Sequence, residues 1–189
     1  MKIYRPLSPF VLTQGFGENK ACVDIETGKN VITCDGNNPP SGYRSLYGND
    51  GHKGIDLIAN HGQPVYCVAD GTVSYIDTKE KSGLDVRVES QFDGVLHRHI
   101  YEHLMGYQPM VGDKIMCGDL IGWAGKTGYA SGDHLHFQLE KGLGIHGVAI
   151  DPLPFMCTTF APFVKLYPAI RAVLAGILEK WSDIFRRPR

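Results

Sequence analysis

The 189-residue chain has no apolar run of the roughly 18 residues needed to cross a bilayer. The nearest approach, Pro152–Leu178, is interrupted by Pro154, Pro162 and Pro168 and by Lys165 and Arg171. Its first residues, MKIYRPLSPFVLTQGFG, are broken by Pro6 and Pro9 and lack the apolar centre of a signal peptide, so synthesis in the cytoplasm without one is expected. There is no charge surplus: 19 basic and 20 acidic residues give a net charge of −1, which offers no basis for nucleic-acid binding. Cysteine is sparse. Five residues with no CxxC pair exclude a zinc ribbon and a complete disulfide framework. Cys22 and Cys34 flank Val23–Thr33, which reads as a hairpin around Thr27-Gly28-Lys29. They are placed to bridge in an oxidising compartment and to remain buried thiols in the cytosol. Internal repeats and low-complexity linkers are also missing.

What the chain does contain is turn formers and short alternating runs. With 23 Gly, 11 Pro and 43% hydrophobic residues, it reads as one turn-rich globular domain. Residues 1–50 are loop-rich. Pro64–Ala69 and Thr72–Ile76 flank Asp70-Gly71, a hairpin signal, and Val86–Ser90 and Leu96–Tyr101 flank Phe92-Asp93-Gly94. Leu120–Ala124 and His134–Glu140 complete the strands. The expected class is all-β, an antiparallel barrel or sandwich spanning residues 1–160. From 161 to 189 the pattern changes. Apolar residues at 170, 173, 174, 177, 178, 181, 184 and 185 fill an arc of roughly 140° on a helix. Pro168 suits its start. This C-terminal amphipathic helix is expected to pack on the barrel or on a second copy, with peripheral contact to anionic membrane as the alternative.

Eight histidines carry the chemistry. In Gly51-His52-Lys53-Gly54-Ile55-Asp56, two glycines argue for a loop entering a strand, which brings one imidazole and one carboxylate together. In His134-Leu135-His136, residues i and i+2 share a strand face, so two imidazoles project side by side while Leu135 enters the core. In His97-Arg98-His99-Ile100-Tyr101-Glu102-His103, residues 97, 99, 101 and 103 fall on one face if the strand holds that far. A phosphate loop at Gly125-Lys126-Thr127 is excluded, because that motif needs Gly where Leu120 stands. A catalytic zinc site needs three protein ligands and an open position. His52, Asp56 and one of His134 and His136 supply three. The other strand histidine and His103 are left to move protons or stabilise an oxyanion.

These motifs, in this order, resemble the lysostaphin-type zinc endopeptidases of bacterial cell walls. His52–Asp56 matches the family's HxxxD motif, Tyr101-Glu102-His103-Leu104 its His-Leu motif, and His134-Leu135-His136-Phe137 its HxH signature. QPVYCVADGTVSYID, Val111-Gly112-Asp113, Gly118 to Gly122 and Gly125-Lys126-Thr127-Gly128 match the connecting segments over residues 11–155. The resemblance implies one Zn²⁺ per chain held by His52, Asp56 and His136, with His103 and His134 flanking the reacting groups in undivided roles. It implies cleavage of peptide bonds in peptidoglycan stems or cross-bridges; with no secretion signal, wall-binding repeat or linker expected, the chain resembles a phage or prophage lysin or a virion-associated enzyme acting on the wall after release. The alternative is a wall-binding regulator with little turnover on the same fold. Glu102, the stretch from about Cys22 to Tyr47, and the tail depart from the family pattern.

Overall fold

The computed structural model describes residues 1–17, 52–142 and 147–162, and the short strands at 23–24 and 29–30. In chain order the strands are β1 (Ile3–Arg5), β2 (Leu12–Gln14), β3 (Val23–Asp24), β4 (Lys29–Asn30), β5 (Ile55–Ile58), β6 (Pro64–Tyr66) and β7 (Gly71–Lys79). They continue with β8 (Gly83–Phe92), β9 (Val95–Tyr107), β10 (Lys114–Ile115), β11 (Leu120–Ala124), β12 (His134–Lys141), β13 (Val148–Ile150) and β14 (Met156–Phe160). The main sheet runs β10-β7-β8-β9-β12-β5-β2 and is antiparallel. Strand β11 pairs with β6 and with the end of β9, and β13 adds to β12. Outside this sheet, β1 pairs with β14 in parallel and β3 with β4 antiparallel. The all-β class expected from the sequence is the class observed. No helix among the described residues is long and apolar enough to cross a membrane. The expected helix from Ile170 to Arg189 and the Cys22–Cys34 pair lie outside the described residues.

Alternation sorts the sheet into two faces. Ile55 and Leu57 of β5, Val86 and Val88 of β8, Tyr101 of β9, and Leu135, Phe137 and Leu139 of β12 point into one core with Ile3, Leu7, Val65 and Ile121. Each such side chain contributes about 1.5–3 kcal/mol on burial. The opposite face carries Asp56, His134, His136, Gln138 and Glu140. Opposed residues of a ladder share a face, so His136 stands between Asp56 on β5 and Glu102 on β9.

Two turn expectations part company here. At Asp93-Gly94 both residues have positive φ, 51° and 75°, as the tightest hairpin turn requires, and β8 and β9 pair directly across it. The hairpin expected across Asp70-Gly71 is not formed: β6 pairs with β11, while β7 pairs with β8 and β10. This dipeptide does other work. The Asp70 carboxylate accepts the Cys117 N–H at 2.7 Å. A side chain at Gly71 would collide with the Glu89 carbonyl and the Val88 and Ser90 side chains. Gly is needed there for a close strand approach rather than for a reversed turn.

His97, His99 and Tyr101 do share the core-facing side of β9. His99 is fully buried between Val88 and Leu139, and neither ring nitrogen meets a partner. Burial, with a small contribution from His97, pushes its pKa down to about 3. The imidazole of an unfolded chain titrates near 6.5. Below that pH the unfolded chain gains a proton that the folded chain refuses. Stability is therefore intact above about 6.5 and falls with pH, by about 1.4 kcal/mol per unit, until pH 3. His99→Leu is expected to remove about one proton's worth of this slope between pH 6.5 and 5 and to cost nothing at pH 7.5. Urea unfolding at both pH values checks it, and an unchanged slope would acquit His99.

Candidate metal centre

The site forms where β5, β12 and β9 run side by side. Gly54 lets the chain pass over β12: a Cβ there would strike the Phe137 carbonyl and His136 Nε2. The strand that follows then places Asp56 opposite His136. His52 is held from the other side by residues 14–17. Its Nδ1–H donates to the Gly15 carbonyl at 3.1 Å, and its own carbonyl accepts the Gly17 N–H at 2.8 Å. Because a carbonyl only accepts, Nδ1 carries the hydrogen and Nε2 is left bare toward the cluster.

Three ligand atoms converge. His52 Nε2 lies 2.9 Å from His136 Nδ1 and 3.2 Å from Asp56 Oδ1, and His136 Nδ1 lies 2.9 Å from the same oxygen. Tetrahedral zinc with bonds of about 2.0–2.1 Å sets its ligand atoms about 3.3 Å apart, so this donor set fits such an ion with little movement. Among the described residues it is the only group of three or more His, Cys, Asp or Glu ligand atoms this close. The electrostatics agree. Burial alone would raise the Asp56 carboxyl, but hydrogen bonds and charge from His136 and His52 outweigh it and hold the group far below the carboxylate range. Burial would lower His136, but Asp56 and the charge of Glu102 overcome it and lift the imidazole to about 9. The cluster is thus built to hold positive charge.

Two further histidines face it. The rings of His103 and His134 lie 4.7 Å apart, and that of His103 lies 6.1 Å from His136. His134 Nδ1–H donates to the Gly132 carbonyl and His103 Nδ1–H to the Thr127 carbonyl, each at 2.8 Å, which again leaves both Nε2 atoms open. His134 Nε2 is 3.8 Å from Asp56 Oδ1. Burial, together with the neighbouring His134 and His136, pushes His103 down to about 4, so it is a neutral base at neutral pH.

His103 reaches this face by a route the alternation of β9 does not predict. Between its pairings with Val86 and Leu84, β9 has two residues, Glu102 and His103, against the single Asp85 on β8. The extra residue is a bulge. It puts Glu102 and His103 on the polar side in succession, and His103 takes a left-handed φ of 63°. The expectation that 97, 99, 101 and 103 share one face therefore fails at its last member. Gly83 and Gly128 pack so tightly that a Cβ on either would meet backbone of the other's loop. This holds Thr127, whose hydroxyl donates to the Leu104 carbonyl and accepts from the Leu84 N–H.

The structure thus brings together all five residues singled out in the sequence. Sequence reasoning missed the carbonyl anchors at Gly132 and Thr127, although the Gly125–Gly128 turn marked their neighbourhood. It also passed over Glu102 as a neighbour of the cluster, since only strand register reveals that contact.

The sequence profile of Peptidase family M23 matches residues 50–152. Glycyl-glycine endopeptidase ALE-1 of Staphylococcus capitis is 37% identical over 105 residues, covering 56% of this chain and 29% of that protein. The DD-carboxypeptidase/endopeptidase Mpg of Neisseria meningitidis serogroup B is 30% identical over 138 residues, covering 73% of this chain and 29% of its own length. The chain therefore spans less than a third of these curated relatives. The crystallised catalytic domain of the antimicrobial peptidase lysostaphin from Staphylococcus simulans superposes with a TM-score of 0.57 at 28% identity, over 77% of this chain and 91% of that one. With the profile match covering more than half of the sequence, the chain belongs to peptidase family M23, among its lysostaphin-type members.

Proposed function

We propose that this chain is a zinc-dependent endopeptidase that hydrolyses peptide bonds in peptidoglycan stem peptides or cross-bridges, with His52, Asp56 and His136 as zinc ligands. One observation supports it above the others: a three-donor cluster with two further imidazoles presenting bare Nε2 atoms toward it. A bound zinc ion supplies Lewis acidity toward a carbonyl oxygen and acidifies water. The chain's own residues do the rest. His103 and His134, anchored through Nδ1, are positioned to take a proton from water and deliver it to the leaving amine. Whichever is not moving the proton can donate a hydrogen bond to the developing oxyanion. The carbonyl anchors fix the ring orientations in advance, as catalytic geometry demands. Residues 1–160 form the catalytic unit in this reading, and 161–189 are an extension separable from it.

The test is digestion of purified sacculi of several wall chemotypes by the zinc-loaded chain, with mass spectrometry of the released fragments. New amino groups at one defined bond are expected. Binding to sacculi with no new amino group would favour the wall-binding regulator instead.

A further inference from the structure

The face that bears the cluster continues across β9, β8 and β7, and nearly every charge on it is matched. Buried Asp85 accepts from Nε and Nη2 of Arg87. Arg98 joins Glu89 to Glu140, at 3.1 and 3.0 Å. Asp77 accepts from the Tyr75 hydroxyl and the Thr78 N–H. Lys79 and Arg87 both lie 4.7 Å over the Tyr75 ring. Glu102 differs in that its counter-charge, the facing His136 imidazole, acts on it without a direct ion pair. It is partly buried and stands opposite His136 in the ladder, where facing Cβ atoms are about 4.5–5.5 Å apart. It lies outside the three-donor set, and among the described residues no hydrogen bond or ion pair reaches its carboxylate. Its oxygens are not among the solvent-shielded side-chain atoms, so an incoming group can reach a carboxylate at the edge of the proposed reaction centre.

We propose that Glu102 is a specificity-determining residue that receives a free ammonium group on the substrate close to the scissile bond. The inference rests on the endopeptidase reading and narrows its substrate class to peptides with an unacylated amine. That amine belongs either to the side chain of a diamino residue or to the N-terminus of a short branch. Either source offers the same charge-assisted hydrogen bonds.

The test uses the zinc-loaded full chain and two pairs of synthetic stem peptides. One pair differs only in acetylation of a side-chain amine, the other only in acetylation of an N-terminal amine. The wild type is expected to prefer the free amine about tenfold or more in kcat/KM in one pair, and that pair identifies the source. Glu102→Gln brings the preference close to 1, and Glu102→Lys inverts it. A ratio taken within one protein cancels losses of folded or metallated fraction, which a merely structural role would produce. Equal rates for both members of both pairs in the wild type, or a preference surviving in Glu102→Gln, overturn the inference. Calorimetric binding of the same pairs separates the two claims. Hydrolysis without discrimination removes Glu102 and leaves the endopeptidase. Discrimination in binding without hydrolysis removes the endopeptidase and leaves the ammonium site.

Discussion

His52→Ala, Asp56→Ala and His136→Ala should each lose the metal and, with it, hydrolysis. Wild-type protein dialysed against trace zinc should retain one ion per chain. Residues that merely orient a ligand cost about 10–100-fold in metal affinity when replaced, so removing one of three ligands should exceed that. Asp56→Ala should be the most damaging. It withdraws the single carboxylate that both imbalanced imidazoles address, at 2.9 and 3.2 Å, and leaves two ring nitrogens 2.9 Å apart with no counter-charge. Asp56→Asn keeps the shape and should fail almost as badly, because it removes the charge that, with the Asp56 hydrogen bond and Glu102, lifts His136 to about 9. Elemental analysis of dialysed variants beside a sacculus assay decides each residue. Full zinc content and full activity in any one of them would strike it from the ligand set.

His103→Ala and His134→Ala should behave in the opposite manner, keeping zinc while losing about 10²–10⁴ in rate. Neither contributes to the three-donor set, and each is tethered to backbone rather than to the cluster. The two variants should also differ from one another. His103 is held down near 4 by burial and its histidine neighbours, so it is a weak base that stays neutral across the working range. If His103 is the proton acceptor, rescue by added imidazole should be strong in His103→Ala and weak in His134→Ala; the reverse pattern assigns the proton to His134. Wild-type rates in either variant would end that residue's part in the chemistry.

Much of this centre was legible before any coordinates, for a specific reason. The two motifs His52–Asp56 and His134–His136 are short, and the period of a strand settles locally that His134 and His136 share a face. What joins them is the ladder register placing His136 opposite Asp56, 80 residues apart; the residues alone left His134 and His136 open as the third ligand, and the family resemblance selected His136. Features decided by non-local pairing stayed hidden. Asp70-Gly71 has the local chemistry of a hairpin turn, yet β6 pairs with β11, and the dipeptide meets the Cys117 N–H and the close-packed β8 instead. The bulge at Glu102–His103 leaves no trace in a sequence that alternates normally around it. Glu102 stood out in the sequence only as a departure from the family pattern, and it is the register that sets it beside His136.

The left-handed backbone of His103 bears on how this fold can change over generations. A non-glycine residue at φ 63° costs about 1 kcal/mol, and the cost recurs for every side chain with a Cβ. His103→Gly should therefore be about 1 kcal/mol more stable than His103→Ala, the reverse of the usual order within a strand. Glycine at this position relaxes the backbone and removes the imidazole in a single step. Among replacements of His103, backbone strain therefore favours the one that leaves no side chain to take part in the proposed proton transfer.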